Sequence, residues 1–95
     1  MAGGKITFGV NLTVEDYWDV PEFARRAEDM GYGRVTMGEH IMDGNPPRPT
    51  LLNLPAMAAA AGATRNIRIM TGIVIVPLYH PVTLAKLVTS VDQVS

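Results

Sequence analysis

The sequence predicts an α/β fold built on a parallel sheet, and three observations carry that prediction. Short runs rich in β-forming residues alternate with longer runs whose apolar residues recur at helical spacing, in the order β-α-β-α-β-α. That alternation implies right-handed βαβ crossovers between parallel strands. The run Val74-Ile75-Val76 is apolar without interruption, as in a strand covered on both faces. Alternation alone does not separate a barrel from an open, doubly wound sheet.

The elements follow in chain order. "KITFGVNL" is rich in β-formers and bounded by Gly and Asn, which places a first strand at Ile6 to Val10. The polar connection "TVEDYWD" leads into "DVPEFARRAEDMGYG". Here Asp19 suits a helix N-cap, Glu22 stands three residues later as in a capping box, and Pro21 is tolerated in the first turn. Phe23, Ala24, Ala27 and Met30 form one apolar face, and Gly31 is placed to stop the helix. "YGRVTMG" reads as a second strand with Glu39 and His40 at its C-terminal end. "IMDGNPPRPT", with three prolines, is a loop. "NLPAMAAAAGAT" is a second helix, capped by Asn53 and ended by Gly62, and its alanines allow another element to approach closely. "NIRIMTGIVIV" reads as a long third strand. "PLYHPVTLAKLVTSVDQVS" is a third helix that starts near Pro81, with Leu84, Leu87, Val88 and Val91 on its inner face.

Three strands and three helices leave two unpaired sheet edges, and the last helical pattern is still running at "VDQVS". Residues 1–95 therefore read as the N-terminal part of a single, larger domain. A TIM barrel takes about 250 residues, so about three of its eight βα units are expected here.

Composition narrows the function. Hydrophobic residues make up 47% and charged residues 18%, which fits globular material rather than a disordered chain. A net charge of −1 gives no electrostatic case for nucleic acid or an anionic membrane. The absence of cysteine excludes disulfides and thiolate metal sites and fits a cytoplasmic location. The N-terminus is a poor signal peptide, and no run reaches the ~18 apolar residues of a membrane span. Neither a Gly-rich phosphate loop of the dinucleotide or P-loop type nor a Ser nucleophile elbow is present.

In parallel α/β folds functional residues collect where strands end. Asn11, the pair Glu39-His40 and the stretch "TGIVIVPLYH" qualify. Adjacent strand residues point to opposite sides, so Glu39 and His40 cannot both face one ligand unless the strand has ended. Two readings stay open. In one, one residue binds neighbouring backbone while the other is solvated. In the other, the imidazole serves as proton donor or anion stabiliser, for which its ordinary pKa near 6.5 is suited. A lone Glu-His pair lacks the spacing of a strong metal motif, and no metal is expected. Gly72 marks either a bulge that brings backbone against a ligand or relief of local crowding. His80, just before Pro81, reads as a helix-start residue.

Taken together, "ITFGVNL", "ARRAEDMGYGRVTMGEH" and "AMAAAAGATRNIRIMTGIVIVPLYHPVTLAKLVTSVDQVS" resemble the luciferase-like monooxygenase superfamily. The resemblance covers most of the chain. It implies a TIM-like barrel that binds FMN or the deazaflavin F420 at the C-terminal mouth. It matches Glu39 and His40 to the family's acidic residue-His pair, with His40 near the reactive face of the ring. It matches Thr71, Gly72 and Ile73 to a strand-three bulge that supports the ring, often with a non-proline cis peptide bond. It also implies a homodimer formed through helices of this half. The spacing "DVPEFARRAEDMGYGRVTMGEH" looks more like the F420-dependent branch, so hydride transfer with F420 is the expected activity. The alternatives are an FMN-dependent monooxygenase, a non-catalytic flavin-binding relative, or a fragment that only associates with partner chains.

Overall fold

The computed structural model describes residues 4–12, 19–47 and 50–95. The polar connection after the first strand lies largely outside them. Three strands, β1 (Gly9–Asn11), β2 (Arg34–Met37) and β3 (Arg68–Thr71), form one sheet. Three helices accompany them: α1 (Val20–Asp29), α2 (Asn53–Ala63) and α3 (Pro81–Val94). The strands are parallel and lie in chain order, with Val10 beside Val35 and Val35 beside Ile69. The chain thus winds in one direction without the reversal of strand order that marks a doubly wound sheet.

The register decides which side is covered. Val10, Val35 and Ile69 share one face and belong to the core with Ala24 and Ala27 of α1 and Ala56 and Ala60 of α2. α1 packs on α2, and α2 on α3. Small side chains at the helix contacts let these elements approach closely, as the alanine run suggests. The opposite face carries Asn11, Thr36 and Met70 and bears no helix among the described residues; there Thr36 Oγ1 donates to Asn11 Oδ1 at 3.2 Å.

α1 ends as its glycine predicts. Gly31 has φ +88°, its N–H donates to the Glu28 carbonyl, and the Tyr32 N–H reaches back to the Ala27 carbonyl. This pair of bonds is a Schellman motif, with Tyr32 packed against the core beyond it. The chain leaves the helix there, so Met30 is 70% exposed rather than part of the apolar face, and Val20 is buried in that face instead.

Other sequence expectations need correction. The first strand is shorter and later than Ile6 to Val10. No capping box forms: Asp19 has helical dihedrals and makes no side-chain cap bond. The Glu22 carboxylate instead takes the Arg25 guanidinium of its own helix at 2.7 Å. Asn53 is the first residue of α2 rather than its cap, and Gly62 lies inside the helix. The third strand stops at Thr71; Gly72 still donates to the Met37 carbonyl at 2.8 Å, but Val74 and Ile75 are not strand, and Val76–Leu78 is a 3-10 helix. The apolar run reads as a strand because its residues are β-branched, but Val74 and Ile75 are only half-buried, Val76 is exposed, and a side chain takes the Ile75 N–H that a ladder would use. Within the expected inner face of α3, Leu84 and Val91 are half-buried, while Leu87 and Val88 are 40% and 47% exposed.

Candidate active site at the strand ends

β2 ends at Met37, and Gly38 carries the chain past β3. A Cβ at Gly38 would stand 3.2 Å from the Gly72 carbonyl oxygen, tighter than an ordinary contact. Glycine therefore permits the close approach of the two strand exits. Directly after it, the two titratable residues separate. Glu39 is 4% exposed, whereas His40 is exposed.

The Glu39 carboxylate is the centre of a web of hydrogen bonds. Oε1 accepts from the Asn53 N–H at 3.1 Å and from the Tyr79 hydroxyl at 2.5 Å. Oε2 accepts from the Ile75 N–H at 2.9 Å. One side chain thus joins the exit of β2, the start of α2, the segment after β3 and the approach to α3. Burial pushes its carboxyl up, but the bonds from Tyr79, Ile75 and Asn53 outweigh that and hold it below the ordinary carboxylate range. Burial and the adjacent carboxylate push the Tyr79 hydroxyl up to about 12.

His40 makes no side-chain hydrogen bond among the described residues; its carbonyl accepts from Thr50 Oγ1 at 2.7 Å. Glu39 therefore binds neighbouring backbone, while the His40 imidazole is exposed at the same end of the sheet.

The Gly72-Ile73 peptide bond is cis, as the resemblance implies. Gly72 itself is not crowded: a Cβ there would meet only Thr36 Cβ, at 3.8 Å. Relief of crowding belongs to Gly38, not Gly72. Ile73 is 70% exposed, and its carbonyl accepts from Asn53 Nδ2 at 2.9 Å. Thr71 closes β3 on the same face as Ile69, toward the helices, and lines a groove of 580 Å³ with Met57, Val74 and Val91. Neither Glu39 nor His40 lines that groove. At the start of α3, His80 Nδ1 accepts from the Val82 N–H at 3.3 Å, which makes it a helix cap.

Sequence reasoning missed four residues. Tyr79, Asn53 and Gly38 build the exit web, and Glu28 does comparable work at the other end of β3. Its carboxylate accepts from the N–H groups of Asn66 at 2.6 Å, Ile67 at 2.8 Å and Arg65 at 3.0 Å. Those bonds, Asn66 and Ile67 foremost, hold the Glu28 carboxyl below its usual range. The one usable signal was Gly38, a glycine between a strand and a titratable pair. Among the described residues no three His, Asp or Glu side chains gather as metal ligands would, and no helix is long and apolar enough to cross a membrane.

A parallel sheet wound in one direction, helices on one face and titratable groups where the strands end define a protein built from βα units, as the βα barrels are. Residues 3–95 match the family model of luciferase-like monooxygenases, and the chain belongs to that family. Among solved structures it is similar to the monooxygenase RslO1 from Streptomyces bottropensis, with a TM-score of 0.78 and 28% sequence identity. The match covers 95% of this chain and 30% of that one, so the fold is part of a luciferase-like TIM barrel. No curated protein matches the chain.

Proposed function

We propose that the chain is the first part of a single barrel domain in a flavin- or deazaflavin-dependent oxidoreductase, with F420-dependent hydride transfer on a small-molecule substrate as its activity. The observation that carries this reading is the division of labour between Glu39 and His40. A buried carboxylate fixes the strand exits, and the next residue is an accessible imidazole at the same end of the sheet. The solved relative, of which the chain spans 30%, supports the larger domain.

The residues fit such a cofactor. Gly72 offers uncrowded main chain and Ile73 an exposed apolar side chain, which together suit a flat ring. Bound there, FMN or F420 supplies the redox chemistry. His40 holds or gives a proton at its imidazole, or stabilises negative charge that develops nearby. Glu39 acts as a positioning residue: it accepts three hydrogen bonds and has none of its own to give. Thr71 contributes to the same strand end through its main chain. A homodimer and a cytoplasmic location complete the proposal, on the resemblance and on the lack of cysteine respectively.

FMN-dependent monooxygenation is the second reading, and the solved relative's name as a monooxygenase supports the reaction type in it. Titration of the full-length protein with each cofactor, followed by its absorption spectrum, separates the two. Saturable perturbation of F420 alone is expected. Perturbation of FMN alone selects the second reading, and perturbation of neither overturns both.

A further inference from the structure

Asn53 is fully buried, yet it does not cap the helix it begins. Its side chain leaves α2 and donates from Nδ2 to the carbonyl of Ile73, twenty residues on. Its main-chain N–H donates to Glu39 Oε1. One residue therefore grips both the carboxylate that gathers the strand exits and the segment that follows β3. The amide is oriented without ambiguity, because only its nitrogen can donate to a carbonyl. Its Oδ1 is buried and finds no partner among the described residues. A carboxamide that leaves its own acceptor unpaired is a poor choice if the task is only to start a helix, where Ser, Thr or Asp would serve.

The residue it holds is unusual in the opposite sense. Ile73 has its carbonyl tied to a fully buried side chain while its own side chain is 70% exposed. That combination presents an apolar surface outward on an anchored main chain. We infer that Asn53 is a positioning residue for the cofactor ring: it sets the Gly72-Ile73 segment, and with it the Ile73 side chain, at the place where the flavin or deazaflavin ring rests. The inference depends on the function proposed above.

The test uses the full-length protein and reads cofactor affinity by fluorescence, with thermal stability as the control. Asn53→Asp replaces the donor by a carboxylate facing a carbonyl oxygen. Affinity is expected to fall about tenfold or more at neutral pH, the scale of one lost charge-free hydrogen bond. Glu39, 3.1 Å from the main-chain N–H of this residue, and Tyr79, bonded to the same oxygen, are the ionisable groups in the web around it. Repulsion from Glu39 raises the new carboxyl, while Glu39 stays ionised below its ordinary range, so mild acid protonates position 53 first. The restored O–H donor should recover affinity there relative to the wild type measured at the same pH, with Asn53→Leu weak at every pH. Variants that bind like the wild type overturn the inference while leaving the proposed function intact. A wild type that binds neither FMN nor F420 overturns the function itself. Should the variants fail to fold, the Asn53 side-chain amide resonance of the wild type decides: it shifts on saturation with cofactor, and an unmoved resonance overturns the inference.

Discussion

The Tyr79 hydroxyl donates to Glu39 across forty residues of chain, and the two groups shift each other in opposite directions. Tyrosine is held protonated, up to about 12, against an ordinary value near 10. Its folded value is raised, so the stabilisation is complete below about pH 10 and disappears as pH climbs toward 12. Tyr79→Phe should cost roughly 1–2 kcal/mol at neutral pH in denaturant unfolding. It should also remove the highest step from the tyrosinate absorbance titration. If that step survives, another tyrosine accounts for it.

Glu39→Gln tests the web from the other side. The folded carboxyl lies below its ordinary range, so its contribution is present above about pH 4.3 and fades as acid protonates the folded protein. Glutamine puts an amide nitrogen where a donor expects an acceptor, at a cost of about 2–3 kcal/mol near neutrality. The stability gap between wild type and variant should narrow below about pH 4. A gap independent of pH would show that the charge of Glu39 contributes nothing.

Gly38 and Gly72 should respond in opposite ways to alanine. At Gly38 the added Cβ meets a main-chain oxygen at 3.2 Å, and separating the strand exits should cost about 1–3 kcal/mol. At Gly72 the nearest atom is 3.8 Å away, so stability should stay within about 0.5 kcal/mol. A loss of cofactor affinity in Gly72→Ala would then come from contact with the ring. Equal destabilisation of both variants contradicts the geometry.

His40→Ala should lower cofactor-dependent turnover by about 100-fold or more, the scale of a lost acid/base or charge-stabilising group. The melting temperature should hardly move, because the exposed imidazole makes no hydrogen bond among the described residues. Unchanged turnover with cofactor bound would remove His40 from the chemistry.

The succession of strands and helices was legible because it rests on apolar periodicity, and the end of α1 because left-handed backbone selects Gly31. The end of β3 was not, since Val74, Ile75 and Val76 suit a strand in every property that sequence displays. A carboxylate just past the previous strand decides otherwise. Glu22 shows the same limit locally: three residues after Asp19 it looks like half of a capping box, but its carboxylate pairs with Arg25 instead. Glu28 reads as a charge on a solvated helix face. Its partners are main-chain groups 37–39 residues away, and no hydrophobic pattern registers them. At the site, the location of Glu39 and His40 was readable from strand polarity. Their separation into anchor and exposed imidazole came only with the packing of α2 and Tyr79.

Glu28 and Glu39 bracket β3, one before its first residue and one after its last, and most of what they grip is main chain. An N–H is offered by every residue type except proline. Arg65, Asn66 and Ile75 can therefore exchange identity widely with respect to these bonds, with proline the one substitution that removes a donor, whereas Ile67 is also held by its place in the core. The two glutamates have no such latitude. Tolerance to substitution should thus change sharply over short distances here: permissive positions that donate to β3's clamps lie against acidic positions that cannot be replaced.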